Sequence, residues 1–440
     1  MRLRFISTCA LVLVVAPLAS RADDLMDAYA QARRADPVLA AADAARWAVR
    51  EGVAQARAPL LPQVSAGFAF DQSSAPSAAA SDPSAASGRS RSRDVSASLN
   101  QVIVDVAKLS QLRVARAQAD AQDAVYQSAL QALAVRVATA YFNVLTAADA
   151  LVNVQANEDA YRQQVGQAEE RYRNGLSASV DVEQARAYHA AARASTIAAR
   201  TALADAREAL AEIIGTPAGD LKTLREDLPM TPPLPADAEV WVQTALAGNP
   251  QLRAQQLGVS AAEQSIDVAR AGHLPTLTAG VGLGRAASWP IRASTSDGRN
   301  VTTLGLVLSV PLFSGGATQS LVRQALRQRD GAAEQLEAQR RAVARTTLDK
   351  YRSIVAGIGQ IEATRASVDA ARKALASIRV GQQLGTQTMT DLLIAIQTLT
   401  SAQGSYSAVR HQFILDKLLL QQAAGAIDEA DLASVNALLQ

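Results

Sequence analysis

Ala56-Arg57-Ala58-Pro59-Leu60-Leu61-Pro62 is followed by a strict alternation, with Val64, Ala66, Phe68 and Phe70 on one side of an extended chain and Ser65, Gly67, Ala69 and Asp71 on the other. Period 2 with one apolar side marks a strand. Over about ten residues it is also the weak signature of a strand that faces lipid. The stretch comes twice. Ala269-Arg270-Ala271-Gly272-His273-Leu274-Pro275 repeats it at an offset of 213 (275 − 62), and Leu277, Ala279, Val281 and Leu283 then alternate with Thr276, Thr278, Gly280 and Gly282. Asp36-Pro37 recurs as Asn249-Pro250 at that offset, while Gly175, Asp181 and Gly215 recur as Gly385, Asp391 and Gly425 at an offset of 210 (425 − 215). Two halves therefore carry one order of elements.

Each half reads as a helix, two strands and two long helices. The first repeat spans 23–214, with strands over 62–74 and 94–105 and helices over 106–173 and 180–214. The second spans 237–426, with strands over 274–287 and 300–313 and helices over 318–380 and 391–424. In the fourth strand Leu304, Leu306, Leu308 and Val310 alternate with Thr303, Gly305, Val307 and Ser309. From Ala107 to Arg173 there is no proline and only Gly166, and Leu130, Leu133, Val137, Ala140, Val144, Ala147, Leu151 and Val154 step by 3 and 4, a coiled-coil seam. At 1.5 Å per residue this helix is about 100 Å long. The proline-rich segment 215–236 links the halves, and 427–440 adds a C-terminal helix. Asp71 to Arg93 and Arg285 to Asn300, with Trp289 at a lipid interface or in the loop, read as flexible hairpin loops.

Residues 1–22 read as a secretory signal: Arg2 and Arg4, an apolar run from Ile6 to Leu18, and small residues at Ser20 and Ala22 before a mature start at Asp23. Cys9, the sole cysteine, lies within that signal, so the mature chain is expected to have no thiol chemistry. Removing Arg2, Arg4 and Arg21 from 43 basic residues leaves 40 against 41 acidic ones, which gives no electrostatic footprint for nucleic acid. No later run of about 18 apolar residues is expected to cross a bilayer as a helix. A membrane location therefore requires a β-barrel.

Four strands cannot close such a barrel, since about eight is the smallest number that encloses a filled interior. Open edges in lipid leave backbone groups unpaired, so copies must assemble, with a cyclic ring as the natural closure. The chain ends in Leu439-Gln440, without a terminal aromatic strand, which fits a barrel built from internal hairpins. Taken alone, the alternation fits a surface sheet on a soluble domain equally well.

The residues resemble the TolC family of outer-membrane efflux and secretion ducts along essentially the whole mature chain. The resemblance is carried by Ala58-Pro59-Leu60-Leu61-Pro62-Gln63, Thr139-Ala140-Tyr141-Phe142-Asn143-Val144-Leu145, Gly272-His273-Leu274-Pro275-Thr276-Leu277 and Val310-Pro311-Leu312-Phe313-Ser314-Gly315-Gly316. Gly385-Thr386-Gln387-Thr388 with Asp391-Leu392-Leu393, and Asp431-Leu432, complete it. It implies an α+β membrane protein: a homotrimeric, twelve-stranded outer-membrane β-barrel, four strands per protomer, continuous with a long α-helical periplasmic barrel. A belt around its middle would combine the linker with the helix near Asp428 to Leu439. The expected partners are a periplasmic adaptor (membrane-fusion) protein, an inner-membrane transporter of RND or ABC type and outer-membrane lipid, with no cofactor and no enzymatic activity.

The resemblance also places the sites. Asp391 would line the periplasmic mouth, where three copies would hold like charges close, raise one another's pKa and favour cations. A carboxylate in a first helical turn is also simply favourable to the dipole. The family's second acidic position is Ile394 here, and the Tyr and Arg of its latch correspond to Gln382 and Gln387, leaving Asp181 with at most a glutamine partner. The turns Asn174-Gly175-Leu176 and Leu384-Gly385-Thr386 match the tips that adaptors grip. Pro62 and Pro275 would set helix-to-strand elbows, since proline fixes φ and removes a donor. His189, His273 and His411 lack metal-ligand spacing and read as ordinary helix and elbow residues. The expected function is the exit duct of a tripartite efflux pump or type I secretion system. A periplasmic coiled-coil interaction protein is the competing reading.

Overall fold

The computed structural model describes residues 24–74, 89–289, 298 and 300–440. The expected signal, Cys9, the mature start at Asp23 and most of the two inter-strand loops lie outside the described residues, as does the Trp289 side chain. In chain order the elements are α1 (Leu25–Ala35), α2 (Pro37–Arg57), β1 (Gln63–Ser74), β2 (Arg89–Val104), α3 (Val106–Arg173) and α4 (Ser179–Ile214), then α5 (Ala238–Gly248), α6 (Pro250–Arg270), β3 (Thr276–Trp289), β4 (Asn300–Ser309), α7 (Ala317–Gln383), α8 (Met389–Ala423) and α9 (Glu429–Asn436).

The single helix expected ahead of each strand pair is two helices. Asp36 and Asn249 both sit at φ −66°, with ψ 117° and 119°, because a following proline disfavours the helical region for the residue before it. The break is then used. The Asp36 side chain accepts from Leu39 N at 2.7 Å, and Asn249 Oδ1 accepts from Leu252 N at 3.1 Å, so each break doubles as the N-cap of the next helix. A single 3₁₀ turn, Ala58–Leu60 or Ala271–His273, separates that helix from the strand. The Gln63 amide donates to Ala58 O (2.8 Å), and the Gln101 amide donates to Leu60 O (2.9 Å), tying the elbow around Pro62 to β2.

The strands form one antiparallel sheet in the order β1-β2-β3-β4, and the central β2–β3 pair joins the two halves. The register aligns Val64 with Leu99, Leu99 with Val281 and Val281 with Leu304, so the apolar positions of all four strands share one face. Its members stand bare: Val64 is 76% exposed, Phe68 69%, Leu304 80% and Leu306 73%. The opposite face carries Ser65 and Ser98, whose hydroxyls lie 2.8 Å apart. β4 stops at Ser309 rather than reaching 313, since Pro311 has no N–H to extend a ladder.

Among the described residues two buried clusters organise the helices. The larger packs α1, the middle of α3, the end of α4, the C-terminal half of α8 and α9 around Leu133, Tyr141, Phe142, Phe413 and Leu432. The linker joins it: Thr223 N donates to Gln440 O (3.0 Å) and Gln440 N to Thr223 O (2.9 Å). This packing corrects one expectation. α3 does contain a stretch long and apolar enough to cross a membrane, and a third of it is buried inside the protein. The apolar residues Leu133 to Leu145 supply much of the larger core, which accounts for their hydropathy without a membrane. The smaller cluster lies toward the hairpin ends, around Tyr161, Ala168, Val182, Leu392 and Leu393.

Candidate functional site

Both long hairpins close with the same backbone turn. Leu176 N donates to Arg171 O (2.8 Å) and Gly175 N to Tyr172 O (2.9 Å). In the second hairpin Thr386 N donates to Gly381 O (2.8 Å) and Gly385 N to Gln382 O (3.2 Å). Gly175 and Gly385 have φ of +73° and +78°, left-handed positions that glycine takes without steric cost, and the bonds are those of a Schellman turn. The residues beside them project outward, Leu176 at 68% and Leu384 at 74% exposure. Asn174 is the C-cap of α3.

The side chains around the two turns differ. α8 begins with a complete capping box: the Thr388 hydroxyl donates to Asp391 Oδ2 (2.6 Å), Thr388 N donates to the same oxygen (2.9 Å), and Asp391 N donates to Thr388 Oγ1 (3.1 Å). The hydrogen bond from the Thr388 side chain, reinforced by its backbone N–H, holds the Asp391 carboxyl below the usual carboxylate range. α4 has Ala178 at its N-cap and no side-chain cap, with Asp181 in its first turn. Arg186 Nη2 pairs with Glu169 at 2.7 Å and its Nη1 with Glu183 at 2.9 Å on the first hairpin. At the second hairpin Gln382 is buried. Among the described residues no hydrogen bond within the protomer joins Asp181 to Gln382 or Gln387.

Near the tips, Tyr161 and Thr390 tie the hairpins together. Tyr161, 1% exposed, donates from Oη to Leu393 O (3.0 Å), and burial pushes its phenol up to about 12. The Thr390 hydroxyl donates to Gln184 Oε1 (2.7 Å), linking α8 to α4. Asp181 and Asp391 are thereby brought to the same end of the helix bundle, each in a first turn. Ile394 is half exposed and lies on a groove with Tyr188, Thr364, Thr398 and Ser401, a lining without charge.

Thr388, Tyr161 and the Thr390–Gln184 pair escaped the sequence reading. Thr388 was within reach of it, since a Thr followed three residues later by an acid is an N-cap signature. Tyr161 meets Leu393 across 232 positions and no local pattern signals it. His411 is likewise more than an ordinary helix residue. It is 3% exposed, and its Nδ1 lies 2.8 Å from Thr146 Oγ1. The Thr146 hydroxyl donates to Phe142 O (2.8 Å), so its oxygen accepts from a neutral imidazole N–H. Burial drives the His411 pKa down to about 4 against the opposing pull of Asp149, whose carboxylate also accepts from Ser407.

The chain matches the family model described as outer membrane efflux protein over residues 28–216 and 241–426. It is 34% identical to outer membrane protein TolC of Escherichia coli (strain K12) over 429 residues, covering 95% of this chain and 85% of that protein. It is 31% identical to alkaline protease secretion protein AprF of Pseudomonas aeruginosa, covering 94% and 86%. The fold matches the crystal structure of CusC with a TM-score of 0.80 at 18% identity, covering 92% of both chains. It matches VceC of Vibrio cholerae at 0.78 and 20%, covering 91% and 96%.

Proposed function

The chain belongs to the outer membrane efflux protein family, and from that membership we propose that it works as one third of a trimeric duct. The protein is an outer-membrane exit duct of the efflux and secretion kind, with a large periplasmic part. The observation that carries the assembly is the sheet: four strands, free edges at β1 and β4, and one face of exposed Val, Leu and Phe. In lipid such edges are untenable, so neighbouring copies pair β4 to β1 and three protomers close a twelve-stranded barrel. That face does not suit water, which weighs against a soluble coiled-coil interaction protein. The long helices form the periplasmic shaft, and the linker with α9 forms its belt.

Cargo passes through the shaft from a periplasmic adaptor and an inner-membrane transporter that supplies the energy, and the chain itself catalyses nothing. The adaptor grips the paired tips at Leu176 and Leu384, apolar side chains held out by rigid glycine turns. Asp391 forms a single acidic ring at the mouth, with Ile394 facing the channel one turn on. The Thr388 cap opposes the rise in pKa that neighbouring like charges impose, so the ring stays ionised. Asp181 of one hairpin meets Gln382 or Gln387 only across protomers, which makes the latch weaker than a charged one. Outer-membrane fractionation with electrophoresis on unboiled samples tests the assembly: a heat-dissociable trimer is expected, and a detergent-free periplasmic monomer would end the reading. Asp391→Asn should abolish cation selectivity in planar bilayers; unchanged selectivity would remove the ring.

A further inference from the structure

The two halves of the sheet repeat their pairing as well as their residues. In the first hairpin Val64 stands opposite Leu99, and in the second Leu277 stands opposite Leu308. β3 is therefore β1 displaced by 213 positions (277 − 64), and β4 is β2 displaced by 209 (308 − 99). The protomer contains one seam between repeats, β2 with β3, at which Leu99 meets Val281 and Ala97 meets Leu283. The other seam, β4 with a following β1, is left open at the two ends of the sheet.

Equivalent residues show what the open seam lacks. The paired Leu99 and Val281 are 38% and 37% exposed, whereas their repeat equivalents Leu308 and Phe68 are 65% and 69% exposed. Stagger then fixes how the seam closes. The row of opposed residues that starts at Val64 and crosses Leu99 reaches β3 at Val281, four residues beyond Leu277, the equivalent of Val64 (281 − 277). Strands of one barrel share one tilt, and tilt is tied to stagger, so every seam must advance the row by the same four residues. The row leaves Val281 for Leu304 on β4. Four residues beyond Phe68, the β1 equivalent of Val281 (281 − 213), stands Gln72.

We propose that copies of this chain join with Leu304 opposite the partner's Gln72, Leu306 opposite the partner's Phe70 and Leu308 opposite the partner's Phe68, a register copied from the β2–β3 seam. A slip of one residue would turn the apolar set of one copy to the polar face of the next. A slip of two keeps the faces but breaks the even stagger. In the proposed register two aromatic–aliphatic pairs lock the joint. Pro311 fits it too. Its β2 equivalent is Val102 (311 − 209), where the ladder to β3 shifts register, and a bulge is a place where a strand accommodates proline. The proposal rests on the trimeric duct reading and concerns only how the copies meet.

The test is disulfide trapping in the full chain carrying Cys9→Ser, so that every thiol is an introduced one. Directly opposed side chains hold their Cβ atoms about 4.5–5.5 Å apart, close to disulfide range, whereas diagonal ones stay at about 7–8 Å. Leu99→Cys/Val281→Cys calibrates the oxidation, since that pair should bond within one chain. Leu308→Cys/Phe68→Cys should then give a covalent trimer that survives boiling and disappears on reduction. Its yield should exceed that of the slipped pairs Leu308→Cys/Ala66→Cys and Leu308→Cys/Phe70→Cys by about tenfold. Val310→Cys/Ala66→Cys carries the same register with smaller changes of side chain, and it decides the matter if the first variant does not assemble. More product from a slipped pair, or a trimer on unboiled gels from which no pair is trapped, overturns the register and leaves the duct standing. A Cys9→Ser parent without a heat-dissociable trimer removes the duct reading and the seam with it.

Discussion

The two buried clusters of the helical part are built to different standards. Around the belt, Leu133, Tyr141, Phe142, Ile354, Phe413 and Leu432 interlock from four helices, and Thr146 pairs with His411 and Asp36 with Arg136 at 2.6 Å, while Arg410 Nε is buried without a partner. Toward the tips the cluster is smaller and rich in alanine, and the side-chain oxygens of Asn157 and Gln164 are buried without a partner in the protomer. Unpaired buried polar groups cost about 1–3 kcal/mol each. The contrast assigns rigidity to the middle and ease of movement to the ends, which suits the mouth proposed there.

The largest test of that contrast lies at the belt. Phe142 is 1% exposed or less and packs edge-on against Tyr141, with ring centroids 5.9 Å apart. Phe142→Ala should cost about 3–5 kcal/mol through lost burial and a cavity. We expect it to lower the thermal midpoint sharply and to deplete the heat-dissociable assembly, whereas Leu176→Ala at a tip should leave both unchanged.

His411 gives the belt a pH dependence in the mildly acidic range. Its folded pKa, near 4, lies below the unfolded value of about 6.5. Above pH 6.5 both states are neutral and stability is full. Between 6.5 and 4 the unfolded chain takes up a proton that the folded one refuses, so stability falls as pH falls, by about 3 kcal/mol at pH 4. Denaturant midpoints measured over that window should decline for the parent and decline less steeply for His411→Gln. Parallel curves would show that His411 accommodates its proton.

These two regions were not equally legible in the sequence. Proline-free runs gave the long helices, and alternation gave the strands and the face they share. The repeat located both glycine turns. The helix breaks at Asp36-Pro37 and Asn249-Pro250 were written plainly as cap plus proline, yet they read as continuous helix because the apolar spacing carries across them. What stayed hidden depends on contacts between distant positions: Thr146 with His411 is 265 residues apart, and the pairing of β2 with β3 sets one half against the other. The register proposed between copies is out of reach until that pairing is known. Asp391 shows the opposite case, where a local Thr-x-x-Asp pattern fixed the carboxylate's immediate partner and the resemblance drew attention to the mouth instead.

At the second tip, Thr388→Ala removes the capping hydroxyl, at a cost of about 1 kcal/mol for that helix start. It also removes the first cause of the lowered Asp391 pKa, so the carboxyl should return toward the ordinary range. An ionised ring is present above its pKa and lost as pH falls through it. Cation selectivity recorded during acidification should therefore disappear at a higher pH in Thr388→Ala than in the parent. Coincident curves would mean that the hydroxyl does not set the charge of the mouth.

The smallest effect concerns the first tip, where α4 starts at an extended Ala178 (φ −81°, ψ 154°) that offers no side-chain acceptor. The backbone there already has cap geometry, close to that of Thr388 at φ −85° and ψ 163°. Ala178→Thr would give the first tip the hydroxyl of the second, with Asp181 standing three residues on as Asp391 does. A reciprocal capping box is then available without moving the chain, and should stabilise the start of α4 by about 0.5–1 kcal/mol. If the uncapped start is what lets the first hairpin yield when the mouth opens, the gain should appear as slower amide exchange at Val182 and Glu183 together with fewer channel openings. Slower exchange with unchanged opening would assign the movement to the second hairpin alone, where the cap is already complete and the turn must shift as a rigid piece.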